Sequence, residues 1–230
     1  MGEYYEFVNL DKKEYIMPSD FGLGSKLHES VHMGNPFLGA LYALMSTDWK
    51  KDTVIFLGDE ITANESNVNP AIRKLFIQHL EWGETGFNSD YVTENYKNIS
   101  GYFKAAEKEV REDIQSMIEN EAFETNYYRI DPKTPFEGLF TRELAFLRYT
   151  INHTKAEFFD SECKKVIEDN KQAVPKFQIN PLPLLLAFGR KAVGVFDGLW
   201  LGDNIEVSNE LPPRTYTNMS EKYIKDYWAV

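Results

Sequence analysis

The chain has 230 residues, 43% of them hydrophobic and 27% charged, with 36 acidic against 25 basic side chains and a formal charge of −11. That balance suits a globular protein of one large or two small domains and excludes a collagen-like, coiled-coil or wholly disordered chain. The negative charge argues against a broad nucleic-acid surface, which needs a cationic face, and a lone cysteine, Cys163, rules out an intramolecular disulfide and suits a reducing compartment.

The opening, Met1-Gly2-Glu3-Tyr4-Tyr5-Glu6, lacks the basic start and apolar run of a signal peptide. The longest apolar stretch, near Leu184 to Phe188, is far short of the ~20 residues of a membrane helix. A cytoplasmic location with no membrane contact is therefore expected, and the Asn-x-Ser/Thr triplets at Asn64, Asn98, Asn152 and Asn218 read as coincidence. Tyr4 to Asn9 and Glu14 to Met17 are rich in aromatic and β-branched residues around a polar turn, Leu10 to Lys13, which predicts a hairpin. Asn35-Pro36 opens a helix, with Asn as cap and Pro in the first turn. Phe37 to Met45 is apolar nearly all round and should be central. Val54 to Leu57 predicts a short buried strand ended by Gly58-Asp59. Asn69-Pro70 opens a second helix with Ile72, Leu75, Phe76 and Leu80 on one face, and Ser100 is expected to cap a long one presenting Phe103, Ala106, Val110, Ile114 and Met117. Glu119 to Thr125 and Asp131 to Glu137 read as loop. Ile205-Glu206-Val207 alternates as a half-exposed strand does, Pro212-Pro213 marks a connector, and Ser220 to Trp228 reads as a short helix.

The chain also matches itself. Val8-Asn9-Leu10-Asp11-Lys12-Lys13-Glu14-Tyr15-Ile16 parallels Ile151-Asn152-His153-Thr154-Lys155-Ala156-Glu157-Phe158-Phe159. Asn35-Pro36 parallels Asn180-Pro181, Trp49 with Asp52 parallels Trp200 with Asp203 (Leu57-Gly58-Asp59-Glu60-Ile61 also matches Leu201-Gly202-Asp203-Asn204-Ile205, which leaves two registers for this pair), and Tyr96-x-Asn98-x-Ser100 parallels Tyr216-x-Asn218-x-Ser220. Four matches in one order predict an internal duplication. The expectation is an α+β fold of two related halves, 1–118 and 119–230, packed as one pseudo-symmetric unit, with a helical segment inserted in the first half at about 62–92. The stretch Tyr5 to Gly24 with Lys26, Leu27 and Glu29, and the later Trp200 to Glu210, resembles a family of uncharacterised bacterial proteins that open on a Val-Asn-Leu-x-Lys-Lys-Glu-Tyr hairpin and continue to a Trp-x-x-Asp strand. The resemblance implies architecture only, since the family lends no activity and no catalytic residues.

The sharpest chemical motif is His28-Glu29-Ser30-Val31-His32. On an α-helix, His28 and His32 share a face and can hold one zinc ion, with Glu29 as general base to the bound water. A third ligand is needed, and Asp52, Asp59 and Glu60 lie at suitable distances in sequence, although Gly34, Asn35 and Pro36 must stop such a helix almost at once. Phe21-Gly22-Leu23-Gly24-Ser25-Lys26 resembles part of a phosphate loop without its full spacing. Cys163, with Lys164 and Lys165 adjacent, is a candidate nucleophile or a plain thiol. Asp52 and Asp203 are either a carboxylate pair across a cleft or two residues that fix turns.

With 13 Tyr, 16 Phe and 4 Trp, the chain has aromatic anchors to spare for a binding face, and its acidity would speed encounter with a basic protein. The leading expectation is a cytosolic protein-interaction module, an inhibitor or immunity-type protein for a basic partner, without cofactor. The alternatives are a zinc-dependent metallohydrolase using His28, Glu29 and His32, and a small-molecule or nucleotide-binding domain using the Gly22 to Lys26 turn.

Overall fold

The computed structural model describes residues 2–24, 26–32, 34–63, 70–79, 86–119, 141–162, 179–192, 194 and 197–227. The predicted hairpin is formed by β1 (Tyr5–Asn9) and β2 (Glu14–Ile16), paired antiparallel with Asn9 opposite Glu14. Its turn is built by side chains: Asn9 Oδ1 accepts from the Lys12 amide at 2.9 Å, and Lys13 takes a positive φ of 53°. That closure stands in for the Asn-Gly pair such a turn usually needs.

Asn35 caps α1 (Pro36–Ser46), its Oδ1 accepting from the Phe37 and Leu38 amides. Every residue from Phe37 to Met45 is buried, so the helix runs through the middle of the core, as its all-round apolarity predicts. β3 (Val54–Gly58) then lies antiparallel to β1. In the inserted region, α2 (Pro70–Ile77) and α3 (Ser89–Asn95) cover the other face of this sheet. Phe76, Phe87, Tyr91 and Tyr96 pack there on Val8, Tyr15, Ile55 and Leu57; Leu80 lies outside the described residues. β4 (Lys97–Asn98) joins β2 in parallel.

The long helix α4 (Lys104–Glu119) starts later than its expected cap. Ser100 opens a separate 3-10 turn, and Phe103 is extended between the two, while the Ser100 hydroxyl accepts from the Met17 amide at 3.0 Å. Ser100 thus ties β4 to the hairpin instead of capping α4. Glu119 is the last helical residue, not loop, and the rest of the loop prediction falls outside the described residues.

A second hairpin, β5 (Tyr149–Asn152) and β6 (Glu157–Asp160), opens the second sheet. The Asn180-Pro181 helix, α5 (Leu182–Leu185), is only one turn long. It stops because the Leu186 carbonyl accepts from the Phe56 amide at 2.9 Å, and Ala187–Phe188 become β7, parallel to β3. β8 (Ile205–Ser208), β9 (Thr217–Asn218) and α6 (Ser220–Tyr227) complete the described chain. The architecture is mixed α+β with two sheets, ordered β4-β2-β1-β3-β7 and β8-β5-β6-β9.

The four strands β4-β2-β1-β3 and the four strands β9-β6-β5-β8 share order and direction. The fixing contacts also correspond. Asn9 Nδ2 reaches Asp52 Oδ2 at 2.8 Å, and Asn152 Nδ2 reaches Asp203 Oδ2 at 2.7 Å. Trp49 Nε1 donates to Glu14 at 2.9 Å, and Trp200 Nε1 to Glu157 at 3.0 Å. One hydrophobic cluster spans both sheets around α1, from Phe7 and Phe56 to Ile205, Val207 and Trp200. At its centre the Tyr42 hydroxyl meets Thr150 Oγ1 at 2.6 Å and accepts from Asn180 Nδ2. Among the described residues no helix is long and apolar enough to cross a membrane.

Candidate functional site

Strand alternation gives β1 two faces: Tyr5 and Phe7 enter the cluster around α1, while Glu6, Val8 and Leu10 fall on the opposite side. Val8 and Leu10 are covered by the inserted helices. Glu6, two residues earlier on the same face, lies at the margin of that cover and is 4% exposed. It lines a cavity of about 300 Å³, between the start of β1, the end of β3 and the segment Met17 to Gly24. Met17, Pro18, Leu23 and Leu57 give apolar walls, Ser19, Asp59 and Ser89 are the other polar lining residues, and Tyr4, half exposed, completes the wall.

Glu6 Oε1 accepts from the Ser89 hydroxyl at 2.9 Å; among the described residues no other hydrogen bond reaches this carboxylate. Asp59 Oδ1 accepts from the Tyr4 amide at 2.9 Å, and the Tyr4 carbonyl accepts from the Asp59 amide. Burial pushes the Glu6 carboxyl up to about 8; the Ser89 hydrogen bond opposes the rise, and the charges of Asp59, Asp20 and Asp90 add to it. Folded protein therefore retains a proton that the unfolded chain has already lost between about pH 4.5 and 8. Stability is full below that window, falls through it with a limiting slope of ~1.4 kcal/mol per pH unit, and is level above it. The melting temperature should drop more in wild type than in Glu6→Gln on passing from the bottom to the top of the window; equal drops would show that Glu6 does not ionise there.

The histidine motif adopts a different local structure from the one its spacing suggests. Glu29–Val31 is a single 3-10 turn with His28 as its first flank, and His32 is already extended, bridged to Ile179. The two imidazoles thus do not stand one α-helical turn apart. The Glu29 carboxylate accepts from the Lys26 amide at 3.1 Å and lies 4.0 Å from its ammonium. Among the described residues no group of three His, Cys, Asp or Glu side chains is arranged to hold a metal ion. Gly22 has φ 67° and ends the 3-10 turn Pro18–Phe21, and Leu23 and Gly24 wall the Glu6 cavity. Acidic residues around that cavity would repel a phosphate. Asp52 and Asp203 each hold the asparagine and lysine of their own hairpin. Cys163 lies outside the described residues.

A second polar chain runs along β8: Lys50 Nζ lies 3.1 Å from Glu206 Oε1, Glu206 Oε2 3.0 Å from His153 Nε2, and His153 Nδ1 3.1 Å from the Tyr216 hydroxyl. Burial alone would raise the Glu206 carboxyl, but Lys50 and His153 more than offset it and hold it below its ordinary range. Its groups satisfy one another and fasten the turn after α1 to the second sheet.

Glu6 is the residue that motif reading misses. Its one signal is a carboxylate in step with Val8 and Leu10 on a strand face that turns inward. Compared with protein-family models, with curated proteins and with solved structures, the chain gives no match.

Proposed function

We propose that the protein is an interaction module that recognises a positively charged partner protein and uses the Glu6 cavity as its recognition site. The observation that carries this reading is a buried carboxylate in an open, apolar-walled cavity, with Asp59 and Asp90 exposed near it. A carboxylate held out of water and facing a cavity gains most from a cation that enters and pairs with it. The net charge of −11 favours encounter with the same kind of partner. An inhibitor or immunity-type role against a basic protein is consistent with both features.

We read the architecture as two descendants of one duplicated module. The shared order of four strands, the Asn–Asp and Trp–Glu pairs, and the positive φ of 53° at both Lys13 and Ala156 support that reading. The Glu6 cavity lies in the module that carries α2 and α3, so the insertion between β3 and β4 builds one of its walls through Ser89.

Fluorescence anisotropy with labelled arginine-rich, lysine-rich, neutral and acidic peptides tests the function. Basic peptides should bind selectively, with affinity falling as salt rises from about 50 to about 300 mM, and the double variant Asp59→Asn/Asp90→Asn should weaken them. Binding that ignores peptide charge, or no binding of any basic peptide, would sink the reading.

A further inference from the structure

The corner of the second sheet that corresponds to the Glu6 cavity already contains a cation. Taking Asn9 with Asn152 and Glu14 with Glu157 as matched positions, Tyr149 and its partner across the ladder, Asp160, correspond to Glu6 and Met17. Arg148 occupies this corner. Its Nε and Nη2 meet the two oxygens of Asp160 at 3.0 and 2.7 Å, its Nη1 lies 3.1 Å from Glu162, and its guanidinium sits 5.0 Å from the centre of the Tyr149 ring. In the first sheet, Tyr5 stands at the position matching Arg148, and its hydroxyl is bound to Glu3. A cavity with a carboxylate and an aromatic ring is found there instead.

We infer that the Glu6 cavity receives a guanidinium group from outside the chain, in the place that Arg148 fills from within the second sheet. The inference deepens the proposed recognition of a basic partner and rests on it. Three features select a guanidinium over a compact ammonium. Glu6 Oε2 and Asp59 Oδ2 have no donor among the described residues, and two acceptors match a rigid fork of N–H groups. The half-exposed Tyr4 ring is a stacking surface of the kind that a planar, weakly hydrated cation prefers. Met17, Leu23 and Leu57 offer apolar wall to an aliphatic stem. At about 300 Å³ the cavity stands at the lower end of the ~300–1,000 Å³ typical of ligand sites, which suits one side chain or a small molecule. Pairing requires Glu6 to be ionised, so binding expels its proton at neutral pH.

Amide chemical-shift titrations of the full chain with ethylguanidinium, butylammonium, butanol and N-acetyl-arginine-amide test this. Ethylguanidinium should move the amides of Tyr4, Leu57 and Ser89, bind roughly tenfold or more tightly than butylammonium, a gap of ~1.4 kcal/mol, and tighten between about pH 6 and pH 8 as Glu6 ionises. Glu6→Gln should weaken it by a similar factor; Asp59→Asn, at an exposed position, should weaken it in a protein whose fold is unaltered. Stronger binding of the blocked arginine identifies a chain-borne side chain as the source, and its exclusion while ethylguanidinium binds identifies a free small molecule. Equal binding of the two cations overturns the guanidinium inference and leaves the basic-partner reading standing. Absence of binding by either cation, or equal binding of butanol, overturns both for this cavity.

Discussion

Trp200→Ala should lower the free energy of unfolding by about 3–5 kcal/mol, the usual cost of truncating a fully buried tryptophan. Trp200 is inaccessible to solvent, stacks on Phe159 at 5.8 Å between ring centres and meets Tyr223 edge-on at 5.9 Å. Its Nε1 also donates to Glu157, so the alanine variant leaves a cavity and takes one donor from a carboxylate that the Tyr223 hydroxyl also meets. Trp200→Phe separates the two effects. It refills most of the volume and should cost only the part assigned to the lost hydrogen bond, ~1–3 kcal/mol. Trp49, equally buried and bound to Glu14, should behave alike. Urea midpoints at constant slope measure these differences. A loss under ~1 kcal/mol for Trp200→Ala, well below the cavity cost, would mean that the second sheet is not packed as described.

Glu3→Ala should be almost as damaging, through polar groups instead of volume. The Glu3 carboxylate is 2% exposed and accepts from the Tyr5 hydroxyl at 2.6 Å and from the Arg190 and Lys191 amides at 2.7 and 2.6 Å. Removing it takes the acceptor from three donors; a donor buried without a partner costs ~1–3 kcal/mol, the two amides are only part-buried and that of Lys191 also reaches the Tyr5 oxygen, so a total loss of ~3 kcal/mol is expected. Burial and the adjoining Glu3 hold the Tyr5 hydroxyl protonated far above its ordinary range, so it remains a donor at every workable pH. Glu3→Gln keeps one acceptor and should lose less. Gly189 provides an independent check, because a β-carbon there would overlap the Tyr5 hydroxyl. Gly189→Ala should therefore also lower the urea midpoint, and an unchanged midpoint in both Glu3→Ala and Gly189→Ala would refute the clamp.

Where local chemistry dictates structure, the sequence was legible. The β1–β2 hairpin follows from alternation around a polar turn, and α1 announces its central position by having no polar face. The Tyr-x-Asn-x-Ser matches fall on the same local contact, since Asn98 and Asn218 both accept from the serine amide two residues on. They gave no sign that β4 and β9 are strands, because two residues are too few to carry a period. β7 was hidden for the same reason: Ala187 and Phe188 continue an apolar run that reads as helix, and only pairing with β3, distant in sequence, makes them extended. The His28 to His32 spacing suggested one helical face, but Gly34, Asn35 and Pro36 leave no room for an α-helical turn, and the segment forms a 3-10 turn. The Glu6 site was illegible as a motif because its walls come from four separated stretches of chain; only the phase of Glu6 along β1 was local.

The placement of β7 bears on how the chain is made. The first sheet has four of its five strands by Asn98, yet the fifth, and the amides that bind Glu3, come from residues 187–191. At a synthesis rate of ~5–20 residues per second, β3 emerges from the ribosome on the order of ten seconds before the strand that covers its edge. Throughout that interval the nascent protein presents an unsatisfied row of backbone groups alongside Phe56 and Leu57, with the Glu3 carboxylate lacking its backbone partners. Chaperone occupancy during translation should therefore persist until residue 191 is free of the exit tunnel, well after the earlier elements have been synthesised.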